Sequence, residues 1–429
     1  MKKKSALILT LSSIAVLYCG YYLGIPLIAN TQKFEHFIEN RIAKQTGFKI
    51  DFVKPQIRTG FLPSIIYKAE EITILNDDGT KAFLAVNPYV NIKLLPLLRK
   101  QLVISKSGAD DFVMNLVYDK NRQFLLGQYP LKSQEKIFVL EKLSANIDKY
   151  LIILEDEFQG KTLKLDGKDL KIKKYIRNKS VKFSTNSSFT AGDKVSKLDA
   201  DVEISLPINK ISEDKVELNI NLENLDLSEF TEYVKTLTDN KIQELYGIVN
   251  FKSETEIIKG HKNVKSELLL DKLGIMQKDR ASSIYCDSPL KIVQDINVIN
   301  DGVKINNFTI KSDGLDIAAN GGIYKTGAKF PELDLKVSAN KVTGAALLPL
   351  FPGEENLNPD FNFYKLKEHM IYGNATGNIE IKGEANYPNL YGNALLTDVY
   401  LKEPIKNTPQ NGVLKFSFDK HTMKLDAHV

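Results

Sequence analysis

The sequence predicts a mainly β protein that begins with one transmembrane helix. Three observations support this prediction: an uncharged N-terminal stretch, a period of two in the apolar residues from Phe48 onward, and turn signals between the apolar runs. At 429 residues the chain is too long for one ordinary hydrophobic core. It should therefore form two or more units, or one elongated repetitive unit.

The N-terminal stretch is predicted to anchor the chain in a membrane. Residues 5–29 carry no charge, and at about 1.5 Å per residue a helix of this length spans about 37 Å, enough for a bilayer core. The apolar run is longer than that of a signal peptide, and Leu27 stands where cleavage after Ala29 would need a small residue. The anchor residues are Leu7, Ile8, Leu9, Leu11, Ile14, Val16, Leu17, Leu23, Ile25 and Leu27.

The charges around this stretch predict its orientation. Lys2, Lys3 and Lys4 precede it, and the next basic residue is Lys33. The positive-inside rule therefore predicts that residues 1–30 form a span whose N-terminus is cytoplasmic. The bulk of the chain would lie on the other side of the membrane.

A short amphipathic helix is predicted over residues 31–47. Phe34, Phe37, Ile38 and Ile42 share one helical face, and Gly47 is a typical helix terminator. We expect this helix to lie at the membrane–water interface or to cap the β structure that begins at Phe48.

From Phe48 onward, apolar residues alternate with polar ones, which predicts half-buried strands with one apolar face. Turn signals such as Asn300-Asp301-Gly302 separate the runs. The alternation slips at Glu223-Asn224 and at Asn306-Asn307, where a bulge would be needed to keep the apolar set on one face. The clearest alternating sets include Val202, Ile204, Leu206, Leu218, Ile220, Leu222, Leu333, Leu335, Val337, Leu414, Phe416 and Phe418.

A sheet with one apolar face has to cover that face. Only short helices are predicted in the body, over residues 134–143, 227–241 and 345–351, too few for so many strands. The residues leave open whether a second sheet covers the face in a sandwich or barrel, or whether it forms an open trough for an apolar ligand.

The composition and motifs exclude several classes of function. Lys and Arg number 58 against 53 Asp and Glu, and they alternate, which is unlike a nucleic-acid-binding surface. The five His residues are scattered without metal-ligand spacing, and Cys19 and Cys286 lie far apart. Gly160-Lys161-Thr162 lacks the glycine that a phosphate loop needs at Glu155. We therefore expect no catalysis, metal or cofactor.

Several segments resemble the AsmA-like family of bacterial envelope proteins. The anchor and helix are followed by "FKIDFVKPQIRTGFLPSIIYKAEEITILNDDG" and "LAVNPYVNIKLLPLL", which match the family's Leu-Pro strand and its Leu-Leu-Pro-Leu-Leu turn. The resemblance covers residues 25–130 well and 200–429 loosely. It implies an N-terminal β unit over residues 48–130 and a repetitive antiparallel body over residues 131–429.

The resemblance also implies a location and a function. The chain would be a single-pass inner-membrane protein with a periplasmic body, an elongated, curved antiparallel sheet with an open groove. The groove, lined by the alternating sets, would bind or passively conduct phospholipid acyl chains and so support outer-membrane biogenesis. Outer-membrane or other envelope proteins would be further partners. Two alternatives are a scaffold for outer-membrane protein assembly and a structural β-sandwich array.

The segment from Val86 to Lys106 has a specific place in this picture. We expect a strand over residues 86–94, one helical turn with Pro96 at its start, and a strand over residues 101–105. The cap residues Leu94, Leu95, Pro96, Leu97 and Leu98 are predicted to close the membrane-proximal end of the sheet. Arg99 and Lys100 would lie in a solvated turn or face lipid head groups. At the other end, residues 427–429 stop in mid-alternation, which suggests a longer protein or a partner at that edge.

Overall fold

The computed structural model describes residues 18, 20–130, 139–205, 216–258, 261–278, 283–299, 301–343, 346, 370–401 and 412–428. The chain divides into two compact units, Met1–Asn209 and Lys210–Val429. Each unit is built on an open, curved β-sheet, which confirms the predicted mainly β class. The predicted residue range 48–130 forms part of the first unit.

The first unit begins with short helical segments. A π-helical turn, Gly20–Gly24, leads into α1, Ile25–Ala29, and then into α2, Gln32–Thr46. Thr31 caps α2 by accepting a hydrogen bond from the Phe34 N–H, and Gly47 ends it with a left-handed φ of 80°. The predicted amphipathic helix is therefore present, with nearly the expected ends.

The predicted membrane anchor falls mainly outside the described residues. Leu23, Ile25 and Leu27 lie in the π-helical turn and α1. Within the described residues, no helix is both long and apolar enough to cross a bilayer. The remaining predicted anchor and topology residues lie outside the described part of the chain: Lys2, Lys3, Lys4, Leu7, Ile8, Leu9, Leu11, Ile14, Val16 and Leu17.

The strands of the first unit are β1 Lys49–Val53, β2 Gln56–Thr59, β3 Ser64–Lys68, β4 Glu71–Leu75, β5 Lys81–Val86, β6 Tyr89–Lys93, β7 Gln101–Tyr118, β8 Phe124–Leu126, β9 Tyr129–Pro130, β10 Val139–Asp156, β11 Lys161–Ile176, β12 Ser180–Ala191 and β13 Lys194–Ser205. A helical turn, α3, spans Leu94–Leu97 between β6 and β7.

Strand β7 organises the sheet of the first unit. Along one side it pairs with β6, β5 and β8 in turn, and these continue to β3–β2, β4–β1 and β9. Along its other side it pairs with β10, which continues through β11 and β12 to β13. The β7–β10 pair is parallel, so the predicted all-antiparallel sheet is wrong here. The chain re-enters the sheet at Val139, beside Gln101 at the start of β7.

The second unit is an antiparallel meander. Its strands are β14 Val216–Asp226, β15 Ile242–Ile258, β16 His261–Gln277, β17 Ile284–Cys286, β18 Leu290–Ile299, β19 Gly302–Ser312, β20 Leu315–Tyr324, β21 Glu332–Thr343, β22 Met370–Glu384, β23 Asn389–Leu401, β24 Gly412–Lys420 and β25 Thr422–His428. Each pairs with the next, except that the short β17 lies beside β16 and β16 pairs directly with β18.

The predicted helices of the body have mixed outcomes. The 227–241 helix is present as a 3₁₀ turn, Leu227–Phe230, and α4, Thr231–Leu237, with Asp226 capping the turn at the Ser228 N–H. The 134–143 helix is wrong for its described part, because β10 begins at Val139. The 345–351 helix lies outside the described residues except for Ala346.

The two predicted slips in the alternation coincide with breaks in the pairing register. The β14–β15 register shifts between Leu222 and Leu225, where Asn224 takes a left-handed φ of 59°. The β19–β20 register shifts between Ile305 and Phe308. In both places a bulge returns the apolar set to the same face.

Two glycines of the second sheet are fixed by backbone geometry. Gly321 and Gly392 have φ values of 127° and 132°. A Cβ at Gly321 would overlap the carbonyl oxygen of Asp334, and one at Gly392 would overlap that of Asn378. Both strands therefore need glycine at these points to stay paired with their neighbours.

We expect Gly321→Ala to lower the free energy of unfolding by about 2 kcal/mol, because it combines an unfavourable φ with a backbone clash. The matched control is Gly327→Ala, since a Cβ at Gly327 meets no atom within 4 Å. Urea denaturation followed by circular dichroism measures both. Equal urea denaturation midpoints for the two variants would contradict the claim that position 321 requires glycine.

Candidate functional site

The second sheet has one apolar face, which can be traced through the strand register because directly paired residues share a face. Starting from Leu222, the paired residues form a continuous apolar row across the whole meander. The row runs Leu222, Phe251, Leu268, Ile292, Ile310, Ile317, Ala339, Gly377, Ala394, Phe416 and Leu425.

Two further rows lie on the same face, both on one side of the first, with the row through Ile220 next to it and the row through Leu218 beyond. One runs Leu218, Thr255, Val264, Ile296, Ile305, Gly321, Leu335, Ile381, Leu390 and Lys420. The other runs Ile220, Ser253, Ser266, Gln294, Phe308, Ala319, Val337, Ile379, Gly392, Phe418 and Met423. Three adjacent polar residues, Ser253, Ser266 and Gln294, thus interrupt the row through Ile220, and the row through Leu218 contains Thr255 and ends at Lys420.

The structure brings together the predicted lining residues of this unit. Leu333 and Leu414 alternate in phase with their strand neighbours on these rows, so all nine predicted residues share one face. The nine are Leu218, Ile220, Leu222, Leu333, Leu335, Val337, Leu414, Phe416 and Phe418. Their role in binding stays a prediction.

The opposite face of the second sheet carries ion pairs. Lys291 pairs with Glu267 at 2.6 Å, and Glu380 contacts both Lys382 at 2.7 Å and Lys336 at 3.2 Å. The hydrogen bond from Lys382, and then that from Lys336, lowers the pKa of the Glu380 carboxyl. Such exposed pairs add little stability, but they show that this face is in water.

The first sheet is two-sided in the same way. One apolar row runs Phe189, Leu165, Ile152, Met114, Phe83, Ile74 and Ile50 across seven strands. The predicted residues Val202 and Ile204 lie on this face, paired with Phe183 and Val181. Leu206 lies outside the described residues.

Parts of the first apolar face are closed. Ile74, Ala82, Leu126 and Tyr129 form a buried cluster, and the Tyr129 hydroxyl donates to the Leu75 carbonyl oxygen at 2.7 Å. Val202 is likewise buried, at 4% exposed. Packing of this kind gives the first unit a conventional core over part of its face.

Near α2, the Tyr67 hydroxyl is buried on the first sheet without a hydrogen-bond partner. Burial raises the pKa of this hydroxyl well above its usual range, and the carboxylates of Glu35 and Glu39 on α2 raise it further. The ring of Tyr67 packs against Phe52, with centroids 5.9 Å apart. The hydroxyl therefore stays protonated and neutral in an apolar setting.

The apolar face of the second unit has fewer fully buried side chains. Its main buried cluster is Leu290, Leu315 and Val342, near one end of the strands. The nine predicted lining residues are only half-buried, and on β25 Met423 and Leu425 are 58% and 50% exposed. Solvent therefore reaches most of this apolar surface in the described part of the unit.

The Val86–Lys106 segment has the predicted order of strand, helical turn and strand, but with other bounds: Val86 ends β5, β6 begins only at Tyr89, and β7 continues to Tyr118. Strand β6 ends at Lys93, α3 forms the helical turn containing Pro96, and β7 starts at Gln101. The cap residues do not all face the sheet, however. Leu94, Pro96 and Leu97 are half-buried, whereas Leu95 and Leu98 are 63% and 84% exposed. Leu95 and Leu98 therefore contribute little to closing the end of the sheet.

The N-terminal segment is fastened to the β2–β3 hairpin by residues that the sequence patterns did not single out. The Tyr21 hydroxyl lies 2.7 Å from the Ser64 carbonyl oxygen and accepts a hydrogen bond from the Ser64 N–H at 2.9 Å. The Asn30 amide bonds both backbone groups of Ile57, as a neighbouring strand would. Only the clustering of Tyr18, Tyr21 and Tyr22 within the uncharged stretch could have signalled this contact.

The described residues offer little for chemistry. Within them, no three His, Cys, Asp or Glu side chains come together as a metal site requires. A cleft of about 460 Å³ lies near Cys286 and Asp313. The Cys286 thiol donates to the Ser288 carbonyl oxygen there at 3.1 Å, and Lys341 lies 3.9 Å from Asp313. This arrangement does not pair a nucleophile with a base.

The fold and its surfaces define a class: a mainly β protein with two-sided sheets whose apolar faces are partly open. No protein-family model, curated protein or solved structure matches the chain. The AsmA-like resemblance therefore remains a prediction from the sequence.

We expect the openness of the second face to show in the cost of truncating its side chains. Leu315→Ala should lower the free energy of unfolding by about 3 kcal/mol, because Leu315 is 2% exposed. Leu335→Ala should cost about 1 kcal/mol, because Leu335 is half-buried. Denaturant titration measures both, and equal costs would mean that the face is covered.

Proposed function

We propose that this chain is a membrane-anchored protein whose apolar sheet face binds phospholipid acyl chains and lets them move passively. The observation that carries the proposal is the set of apolar rows on the second sheet, only half-buried on one face and backed by ion pairs on the other. Exposing an apolar surface of this kind to water is unfavourable, so such a surface is expected to bind an apolar partner.

The driving force would be burial. Moving a methylene group from water to an apolar surface is favourable by about 0.8 kcal/mol, so an acyl chain of ordinary length gains several kcal/mol even with partial contact. Neither a covalent step nor a cofactor is needed. Charged head groups would stay in water at the open edges of the face.

The dimensions of the second sheet suit lipid chains. Neighbouring strands lie about 4.8 Å apart, so a row from β14 to β25 is on the order of 50 Å long. One acyl chain spans about half of a hydrocarbon core that is about 30 Å thick. A row could therefore hold more than one lipid, or pass a lipid from place to place.

The anchor and location belong to the same proposal. The uncharged residues 5–29 and the preceding Lys2, Lys3 and Lys4 support a single span with a cytoplasmic N-terminus. On the AsmA-like resemblance, the membrane is the bacterial inner membrane, the body is periplasmic and the lipid serves the outer membrane.

A photocrosslinkable residue at Leu335 or Phe416 should capture phospholipid in cells, because both positions lie on the apolar face. The matched controls are Lys336 and Ser417, which are next in sequence and lie on the opposite face. These should capture none. Mass spectrometry of the crosslinked species identifies the partner.

The same experiment separates the alternatives. Capture of protein alone at Leu335 and Phe416 would favour a scaffold that closes its face on another protein. Crosslinks only within the chain would indicate a closed sandwich. Lipid extraction from gently purified protein gives an independent check, and the absence of co-purifying phospholipid would count against the proposal.

A further inference from the structure

Four large apolar side chains are exposed at one end of the first unit. Phe61 and Leu62 lie at the tip of the β2–β3 hairpin and are 83% and 63% exposed. Leu95 and Leu98 lie in and after α3 and are 63% and 84% exposed. We call these four residues the foot.

The two segments of the foot are held side by side by the backbone. Strands β3 and β6 pair from Lys68–Tyr89 to Ser64–Lys93, so the hairpin tip and α3 leave the sheet at the same point. The Leu94 N–H then donates to the Pro63 carbonyl oxygen at 3.0 Å. The four exposed side chains thus belong to one protruding surface and are not isolated from one another.

The uncharged N-terminal stretch arrives at the same place. The Tyr18 hydroxyl donates to the Phe61 carbonyl oxygen at 2.9 Å, and the two rings lie 6.3 Å apart. The Tyr21 hydroxyl lies 2.9 Å from the Gly60 carbonyl oxygen. The foot is therefore continuous with the segment that the sequence assigns to a membrane.

The two stretches of chain that form the foot carry charge of one sign. Residues 53–69 and 79–109 contain no Asp or Glu, although the chain has 53 of them in 429 residues. Arg99 and Lys100, beside Leu98, are exposed. The same two stretches contain the basic residues Lys54, Arg58, Lys68, Lys81, Lys93, Arg99, Lys100 and Lys106.

We propose that the foot inserts into the interface of an anionic lipid bilayer, with Arg99 and Lys100 at the head groups. Protruding apolar side chains beside cations, held against a stretch that is predicted to cross a membrane, are what a bilayer surface binds. The insertion fixes the end of the first sheet at the membrane surface. It depends on the proposed membrane attachment but not on lipid binding by the apolar face of the second unit.

Tryptophan fluorescence tests the insertion, because the chain contains no Trp. Leu98→Trp and Phe61→Trp each give the full-length protein a single indole at an exposed position. The matched control is Phe124→Trp, because Phe124 is 53% exposed but pairs with Tyr118 at the far end of β7. Strand β7 has 18 residues, which places Phe124 on the order of 55 Å from the foot.

Each variant is reconstituted in vesicles of mixed phosphatidylcholine and phosphatidylglycerol with brominated acyl chains, which quench indoles inside the bilayer. We expect quenching and a blue-shifted emission for Leu98→Trp and Phe61→Trp, and neither for Phe124→Trp. Circular dichroism confirms that each variant is folded.

A Leu9→Trp variant reports on the N-terminal stretch itself. Quenching of Leu9→Trp without quenching at the foot would overturn the insertion and leave the anchor intact. Loss of quenching at all positions would overturn the membrane attachment as well. Neither result depends on lipid capture at Leu335, so the two proposals fail separately.

The head-group contact has its own test. In the Leu98→Trp background, Arg99→Gln with Lys100→Gln should reduce quenching at least twofold in anionic vesicles and change it little in pure phosphatidylcholine. Lys149→Gln with Lys168→Gln is the charge-matched control on β10 and β11. Equal effects of the two double variants would overturn the role of Arg99 and Lys100.

Discussion

The structure depends on one constraint: each strand must keep its apolar side chains on the face that its neighbours use. Because side chains alternate along a strand, one unpaired residue would send the rest of an apolar set into water. The bulges at Asn224 and at Asn306-Asn307 prevent this, since each adds the residue that restores the phase. The apolar and polar side chains thereby stay on separate faces from β14 to β25. The proposed binding surface is the apolar one of these faces.

Much of this could be predicted from the sequence because alternation is a local signal. The alternating sets around Leu218, Leu335 and Phe416 predicted the strands that contain them. The two slips in the alternation marked the positions of the bulges. Their common face could not be predicted, because it depends on which strands pair and in what register. The helical turn at Pro96 was also accessible, since proline excludes a central strand and suits a first helical turn.

The failures have physical causes too. Leu140 and Leu143 are three residues apart, as on a helix, but irregularities in the β7–β10 register place both beside alternate residues of β7, Leu102 and Ile104. The irregular pairing therefore produced a spacing of apolar residues in a strand that is typical of a helix. The parallel β7–β10 pair and the contacts of Tyr21 join residues distant in sequence, and no local pattern encodes them.

The polar residues Ser253, Ser266 and Gln294 would have a consequence for the kinetics of the proposed lipid movement on the second sheet. A sliding acyl chain would lose favourable contact as it crosses them, and each 1.4 kcal/mol of such loss slows the crossing about tenfold. The acyl chain would then move along the face in discrete steps between apolar binding positions rather than by unhindered diffusion. A short polar patch would set the residence time of the cargo, while the apolar rows set its affinity.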